Sequence, residues 1–159
     1  MQIRKTIPSD KENLVELLVK FHKFTQKNLS KNQANFREYT DTGKMSEGEA
    51  ERFATQENCI AFVADENDKL VGFIAGEVKE KKNRVYDRAG HIEKWFVKEE
   101  YQNHGVGKEL FARLVDEFER LRCTHLELDT HWENQKAIQI YESLGFTKRL
   151  VTFFKILKS

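Results

Sequence analysis

The sequence predicts a single α/β domain over residues 1–159, with six to seven strands and about four helices. Three observations carry that expectation. A length of 159 residues suits one compact domain on the usual allowance of roughly 100 to 200 residues. Apolar residues make up 39% and charged residues 33%, with 12 Phe, enough for a core and for a solvated exterior. The hydrophobic period also switches along the chain from helical to strand-like and back.

Residues 3–6 read as a short first strand. Pro8, Ser9 and Glu12 then mark a helix start, with Ser9 as the cap and Glu12 reaching back to its amide. The helix that follows carries Leu14, Leu17, Leu18, Phe21 and Phe24 on one face. Ser46 and Glu49 repeat the capping pattern ahead of a second helix that buries Ala50 and Phe53. Between these helices, residues 27–44 are polar and carry no clear period.

From Cys59 the period becomes that of strands. Residues 59–64 and 70–78 are β-prone runs joined by Asp65, Glu66, Asn67 and Asp68, a sequence suited to a hairpin turn. Residues 90–97 form another strand. A glycine-bearing turn leads to a long helix whose stripe is Leu110, Phe111, Leu114, Val115, Phe118 and Leu121. Residues 124–129 are a short strand, and residues 134–144 a helix ended by Gly145. Residues 146–157 supply one or two closing strands.

Lys and Arg number 27 against 26 for Asp and Glu, a formal net charge of +1, which provides no field for gathering nucleic acid. The basic stretch Lys79, Lys81, Lys82, Arg84 and Arg88 reads as a solvated loop, with Tyr86 and Asp87 as candidates for a binding rim. Cys59 and Cys123 have no partner at metal-ligand spacing and read as buried small hydrophobes in a reducing compartment. The N-terminus carries no apolar signal core and no segment reaches the roughly 18 apolar residues of a membrane span. A cytoplasmic protein is expected, without nucleic acid, membrane or metal as partner.

The strongest local pattern is Gln102, Asn103, His104, Gly105, Val106, Gly107 and Lys108 between a strand and the long helix. Glycines there let backbone amides converge on an anion at the positive end of the helix dipole. The spacing is neither that of the Walker phosphate loop nor that of the dinucleotide fingerprint. Two glycines also suit a strand-to-helix turn that binds nothing.

In this context Gln102-x-x-Gly105-x-Gly107 resembles the coenzyme-A-binding motif [QR]-x-x-G-x-[GA] of the GNAT superfamily of N-acetyltransferases. Downstream, Asn134, Ala137, Tyr141, Gly145 and Phe146 resemble the superfamily's N-x-x-A-x-x-x-Y-x-x-x-G-F helix, and the element order is also the GNAT order. The resemblance implies a mixed, mostly antiparallel central sheet. It further implies a strand bulge falling on Trp95, Phe96 and Val97, where the pantetheine arm of acetyl-CoA binds like an added strand. The Val97 amide then faces the thioester oxygen, the amides from Gln102 to Lys108 hold the pyrophosphate, and Asn134 bonds the pantetheine arm or simply caps its helix.

By the same resemblance Tyr141 is the general acid that protonates the departing thiolate, although in its helix it also reads as an ordinary half-buried tyrosine. The base falls on Glu93 first and His91 second, two residues apart on one strand and therefore facing the same side. Both also suit solvated strand positions. His104 receives no chemistry of its own, and His131 and Trp132 are candidates for the acceptor rim.

The sequence reading is thus an acetyl-CoA-dependent N-acetyltransferase acting on a primary amine, a small molecule rather than a protein, by direct attack in a ternary complex. The sequence admits a homodimer and leaves the oligomeric state open. The alternative is a non-catalytic acyl-CoA-binding or sensing module on the same fold.

Overall fold

The computed structural model describes residues 1–36 and 38–157. The chain divides into two compact units, Met1–Asp129 and Thr130–Ser159.

The larger unit holds β1 (Gln2–Lys5), α1 (Lys11–Lys27), the single turn α2 (Lys31–Ala34), α3 (Thr42–Thr55), β2 (Ile60–Glu66), β3 (Lys69–Glu80), β4 (Arg88–Val97), α4 (Val106–Arg120) and β5 (His125–Leu128). The sheet order is β1-β2-β3-β4-β5. β1 to β4 pair antiparallel, and β5 lies parallel to β4, the pairing that the crossover through α4 permits. β2 and β3 join through Asn67 and Asp68, both at positive φ (52° and 63°), the two-residue turn whose twist matches a hairpin.

β3 is buried on both faces from Leu70 to Gly76, and its alternation sorts the two layers. Phe73 and Ala75 join Leu14, Leu17, Leu18, Ala50 and Phe53 of α1 and α3 in one core. Gly72 and Gly76 face α4. A methyl group on Gly90 would meet the Phe118 ring at 2.6 Å, and one on Gly76 would meet it at 2.8 Å. These two glycines are the floor on which α4 seats its largest buried side chain.

Both expected helix starts differ in detail. Ahead of α1 the turn Pro8–Asp10 is a 3-10 helix, and Asp10 rather than Ser9 accepts the hydrogen bond that closes it, from the Ile7 amide at 2.9 Å. Asp10 also receives both arms of Arg4 (2.8 and 2.9 Å), whose guanidinium reaches Asp65 at 2.8 Å. Burial disfavours the Asp10 carboxylate, but the Arg4 and Ile7 bonds outweigh it and hold the group below its ordinary range. α3 begins at Thr42, capped by Asp41, which accepts from the Lys44 amide. Ser46 is buried one turn inside it, because the apolar stripe extends one turn further toward the N-terminus than the capping pattern suggested. Cys59 is buried, with its thiol pushed up to about 11 by desolvation, whereas Cys123 is only half-buried.

The smaller unit holds α5 (Gln135–Ser143) and the residues that follow it. Gly145 at φ 90° lets the Gly145 and Phe146 amides bond the carbonyls of Glu142 and Tyr141, which ends the helix. The sequence reading of six to seven strands is corrected here. Among the described residues the sheet has five, and none of residues 146–157 is in a strand. The helices number five rather than about four, the extra one being the single turn α2. Among the described residues no helix is long and apolar enough to cross a membrane.

Candidate active site

The site grows from one irregularity in β4. Opposite β3, Ala75 pairs with Lys94 while Gly76 pairs with Ile92, so Glu93 is the extra residue of a bulge. The irregularity therefore lies two residues before the expected Trp95, Phe96 and Val97, which stay in regular register with Ile74, Phe73 and Gly72. Pairing with β5 stops at Ile92 and Leu128. From Glu93 to Val97, β4 thus has β3 on one side and no strand on the other among the described residues.

The Val97 amide faces that open side. Lys98 donates its amide to Val71 of β3 at 2.9 Å, and backbone groups alternate along an antiparallel strand, so Val97 must turn both its N–H and its C=O away from β3. The Val97 carbonyl indeed accepts from the Gln102 side chain at 2.9 Å. The N–H of the same residue points the same way, away from β3. Trp95 and Phe96 contribute only backbone to this edge. The Trp95 ring stacks on Phe111 of α4 with centroids 5.4 Å apart, and Phe96 is buried against Phe21 and Phe24.

Past Val97 a 3-10 turn at Glu99–Tyr101 leads to Gln102, Asn103 at φ 64°, His104 and Gly105 at φ 84°. Left-handed backbone at Asn103 and Gly105 turns the chain sharply into α4. The first helical bond runs from the Glu109 amide to the Gly105 carbonyl at 3.0 Å. The amides of Val106, Gly107 and Lys108 therefore precede the ladder and point out of the helix N-terminus, where the dipole adds a positive potential. Gly107 lies against the Trp95 indole, at ordinary van der Waals distance for an added methyl.

On the opposite sheet face the bulge turns two consecutive polar residues toward α3. Arg52 of α3 donates to both Glu93 oxygens, Nη1 at 2.8 Å and Nη2 at 2.5 Å, and lies 3.7 Å from Glu77. Hydrogen bonding to Glu93 raises the Arg52 guanidinium above its ordinary value. His91 is registered directly opposite Glu77, so it shares this face with Glu93, as the two-residue spacing predicted. Lys94 pairs with Glu49 at 2.8 Å, and Glu49 in turn bonds the buried His22 at 2.9 Å. Burial disfavours the Glu49 carboxylate, yet the His22 and Lys94 bonds hold it below the usual range. Arg52 and Glu49 also line an open groove of about 470 Å³ with Tyr39, Asp41, Lys44 and Met45. Sequence reasoning missed Arg52, Glu49, Glu77 and His22, which sit in helix and strand patterns that carry no motif. The basic loop is partly neutralised by Lys81 with Glu127 and Arg88 with Glu80, and Tyr86 is 65% exposed.

In the smaller unit Asn134 caps α5, its side chain accepting from the Ala137 amide at 3.3 Å. Tyr141 is half-buried in the last turn of α5, with its ring 6.2 Å from that of Phe146. Desolvation raises its phenol above the ordinary value, which keeps it protonated at neutral pH. Trp132 is 67% exposed. Among the described residues no group of three or more His, Cys, Asp or Glu is placed to hold a metal ion.

The acetyltransferase (GNAT) family matches residues 26–146 of the chain. Among curated proteins, N-alpha-acetyltransferase 30 of Saccharomyces cerevisiae is 33% identical over 67 residues, which are 41% of this chain and 38% of that protein. The [ribosomal protein bS18]-alanine N-acetyltransferase of Escherichia coli is 30% identical over 95 residues, 60% of each chain. These matches span about two fifths to three fifths of the relatives' length. Among solved structures, a tetramutant of the BH1408 protein of Bacillus halodurans aligns with a TM-score of 0.83 at 18% identity, over 99% of this chain and 100% of that one. Aminoglycoside N-acetyltransferase AAC(6')-Iy in complex with CoA aligns with a TM-score of 0.75 at 17% identity, over 99% and 95%. At such identities the structures establish the fold alone, and the family match supplies the rest: the chain belongs to the acetyltransferase (GNAT) family.

Proposed function

We propose that this chain transfers the acetyl group of acetyl-CoA to a primary amine by direct attack within a ternary complex. The observation that carries the proposal is the edge of β4 beyond its pairing with β5, where the Val97 N–H points away from β3 ahead of the glycine turn that leads to the amides of Val106, Gly107 and Lys108. Such an edge accepts an extended amide-bearing arm as a further strand, and a helix N-terminus accepts its phosphates. Both are features of acetyl-CoA.

The amine nitrogen, once neutral, attacks the thioester carbonyl carbon and charge gathers on the carbonyl oxygen. The Val97 amide stabilises that oxyanion. As the C–S bond breaks, the thiolate takes a proton from Tyr141, a role resting on the match of Tyr141 to the family motif. The proton lost by the amine passes to Glu93, or to His91 on the same face. Arg52 donates one bond to each Glu93 oxygen, which leaves each oxygen a second lone pair for the amine's proton.

A small-molecule amine is the acceptor class proposed. A second reading, the α-amine of a polypeptide, is favoured by the sequence relatives, which are named N-alpha-acetyltransferase 30 and [ribosomal protein bS18]-alanine N-acetyltransferase. Thiol release from acetyl-CoA across polyamines, aminoglycosides, amino acids and short peptides tests both. Release with peptides alone would select the second reading. Tight acetyl-CoA binding without release for any acceptor would replace the enzyme by an acyl-CoA sensor.

A further inference from the structure

We propose that Arg52 is a positioning residue for the proton-transfer step, its guanidinium fixing the plane of the Glu93 carboxylate, a role that rests on the reading of Glu93 as proton acceptor. Nη1 of Arg52 donates to Oε2 of Glu93 at 2.8 Å and Nη2 to Oε1 at 2.5 Å. Two bonds from one planar donor define an orientation that a single bond leaves free. Carboxylate lone pairs lie close to the carboxylate plane, so the fork that holds two of them also aims the two left for a proton.

Glu93 needs such a tether. It is the extra residue of the β4 bulge, without a partner in the ladder to β3, and it lies beyond the last pair with β5. Among the described residues no side chain other than Arg52 bonds its carboxylate. Arg52 is itself held in place. It sits in the last turn of α3 beside the fully buried Phe53, whose ring centre is 5.5 Å from the guanidinium carbon. One turn earlier Glu49 takes Lys94 at 2.8 Å, so α3 grips both consecutive residues of the bulge, and Arg52 is the one that touches the carboxylate. Both partners stay partly exposed, and Arg52 lines the groove beside α3, so the pair is not sealed in the core.

Charge alone does not account for Arg52. Glu77 lies 3.7 Å from it and 3.3 Å from Lys79, so Glu93 and Glu77 are balanced by Arg52 and Lys79. Lysine in place of Arg52 would keep that balance and lose the fork, since an ammonium is a point charge with no plane.

The test is steady-state kinetics of R52K, E93Q and the double variant R52K/E93Q, with an acceptor found by thiol release and with acetyl-CoA affinity measured by isothermal titration. R52K is expected to lower kcat about tenfold or more, the scale on which a misplaced reacting group slows a step. The acceptor KM and the acetyl-CoA Kd should stay within about threefold, the signature of an interaction that matters in the transition state. In the E93Q background the same change should cost less than about twofold, because a residue acting through Glu93 has nothing left to orient. Parental kcat in R52K, or an equal loss with and without Glu93, would overturn the proposal and leave Arg52 as a structural tie between α3 and β4. Parental kcat in E93Q would overturn the reading of Glu93 as proton acceptor, and the role of Arg52 with it. Should R52K not fold, Arg52→Gln in the same two backgrounds decides by the same outcomes.

Discussion

Gly105 gives the sharpest access to the anion cradle, because strain and charge separate there. Its φ is 84°, and a side chain built on it meets nothing within 4 Å. Any replacement therefore costs about 1 to 2 kcal/mol of backbone strain but no collision. Gly105→Gln and Gly105→Glu share that strain and nearly share shape, so they are expected to melt together. They differ by one negative charge at the N-terminus of α4. At about 6 Å from a phosphate, that charge repels each phosphate charge by roughly 0.7 kcal/mol in water-like surroundings and roughly 2.8 kcal/mol at an effective dielectric of 20. Against two phosphates, G105E should bind acetyl-CoA at least tenfold more weakly than G105Q by isothermal titration. Added salt should narrow the gap. Equal affinity of G105E and G105Q would refute the cradle.

Three further outcomes follow from the geometry. Tyr141→Phe is expected to lower kcat by about 100-fold or more while the acetyl-CoA Kd, measured by titration, stays within about twofold. Unchanged turnover would remove the general acid. Glu93→Gln is expected to reduce kcat by about 100-fold or more at saturating acetyl-CoA, and His91→Gln by only a few fold. The reverse order in steady-state kinetics would move the base to His91. Glu117, bonded by Arg120 and Lys5 at 2.6 and 2.8 Å, is held at about 2 instead of its ordinary 4.5. A carboxylate depressed by folding contributes stability that is complete above pH 4.5 and is lost as the pH falls toward 2. Urea midpoints measured across that window should fall less steeply in Glu117→Gln than in the parent. Parallel curves would mean that the two ion pairs carry no net linkage.

Most of this architecture was legible because it rests on local patterns. Asn67 and Asp68 announce their turn, and Leu110, Leu114 and Phe118 announce the face of α4 that is buried. The turn at Gln102 to Lys108 was legible as two glycines before an amphipathic helix. What escaped depends on partners distant in sequence. Arg52 and Glu93 are 41 residues apart, His22 and Glu49 are 27 apart, and neither helix stripe distinguishes these positions from solvated ones. The bulge was displaced by two residues for a related reason. A register shift is decided by which side chains find partners across the sheet, and Lys94 finds Glu49 while Glu93 finds Arg52. The closing strands failed differently: residues 146–157 have strand composition, but a strand also needs a ladder of backbone partners, which composition does not specify.

The bulge at Glu93 accounts for the division of labour along β4. With no extra residue, Glu93 and Lys94 would face opposite sides of the sheet, and one would enter the layer under α4 that holds Trp95 and Phe111. The insertion keeps both toward α3, where Arg52 and Glu49 neutralise them. It also re-phases the strand, so that Trp95 faces α4 while Phe96 enters the core. β4 and β5 part company at the same point, since their last pair is Ile92 with Leu128. One irregularity thus holds a carboxylate on one face, ends the β5 ladder, and leaves the Val97 N–H on an open edge a few residues before the glycine turn. Drawing Glu93 into regular register with no residue deleted would shift every later side chain of β4 to the opposite face, so the same step that made Glu93 regular would take Phe96 from its core and Trp95 from α4. The candidate base and the sheet edge are therefore coupled through the backbone rather than through any contact between them.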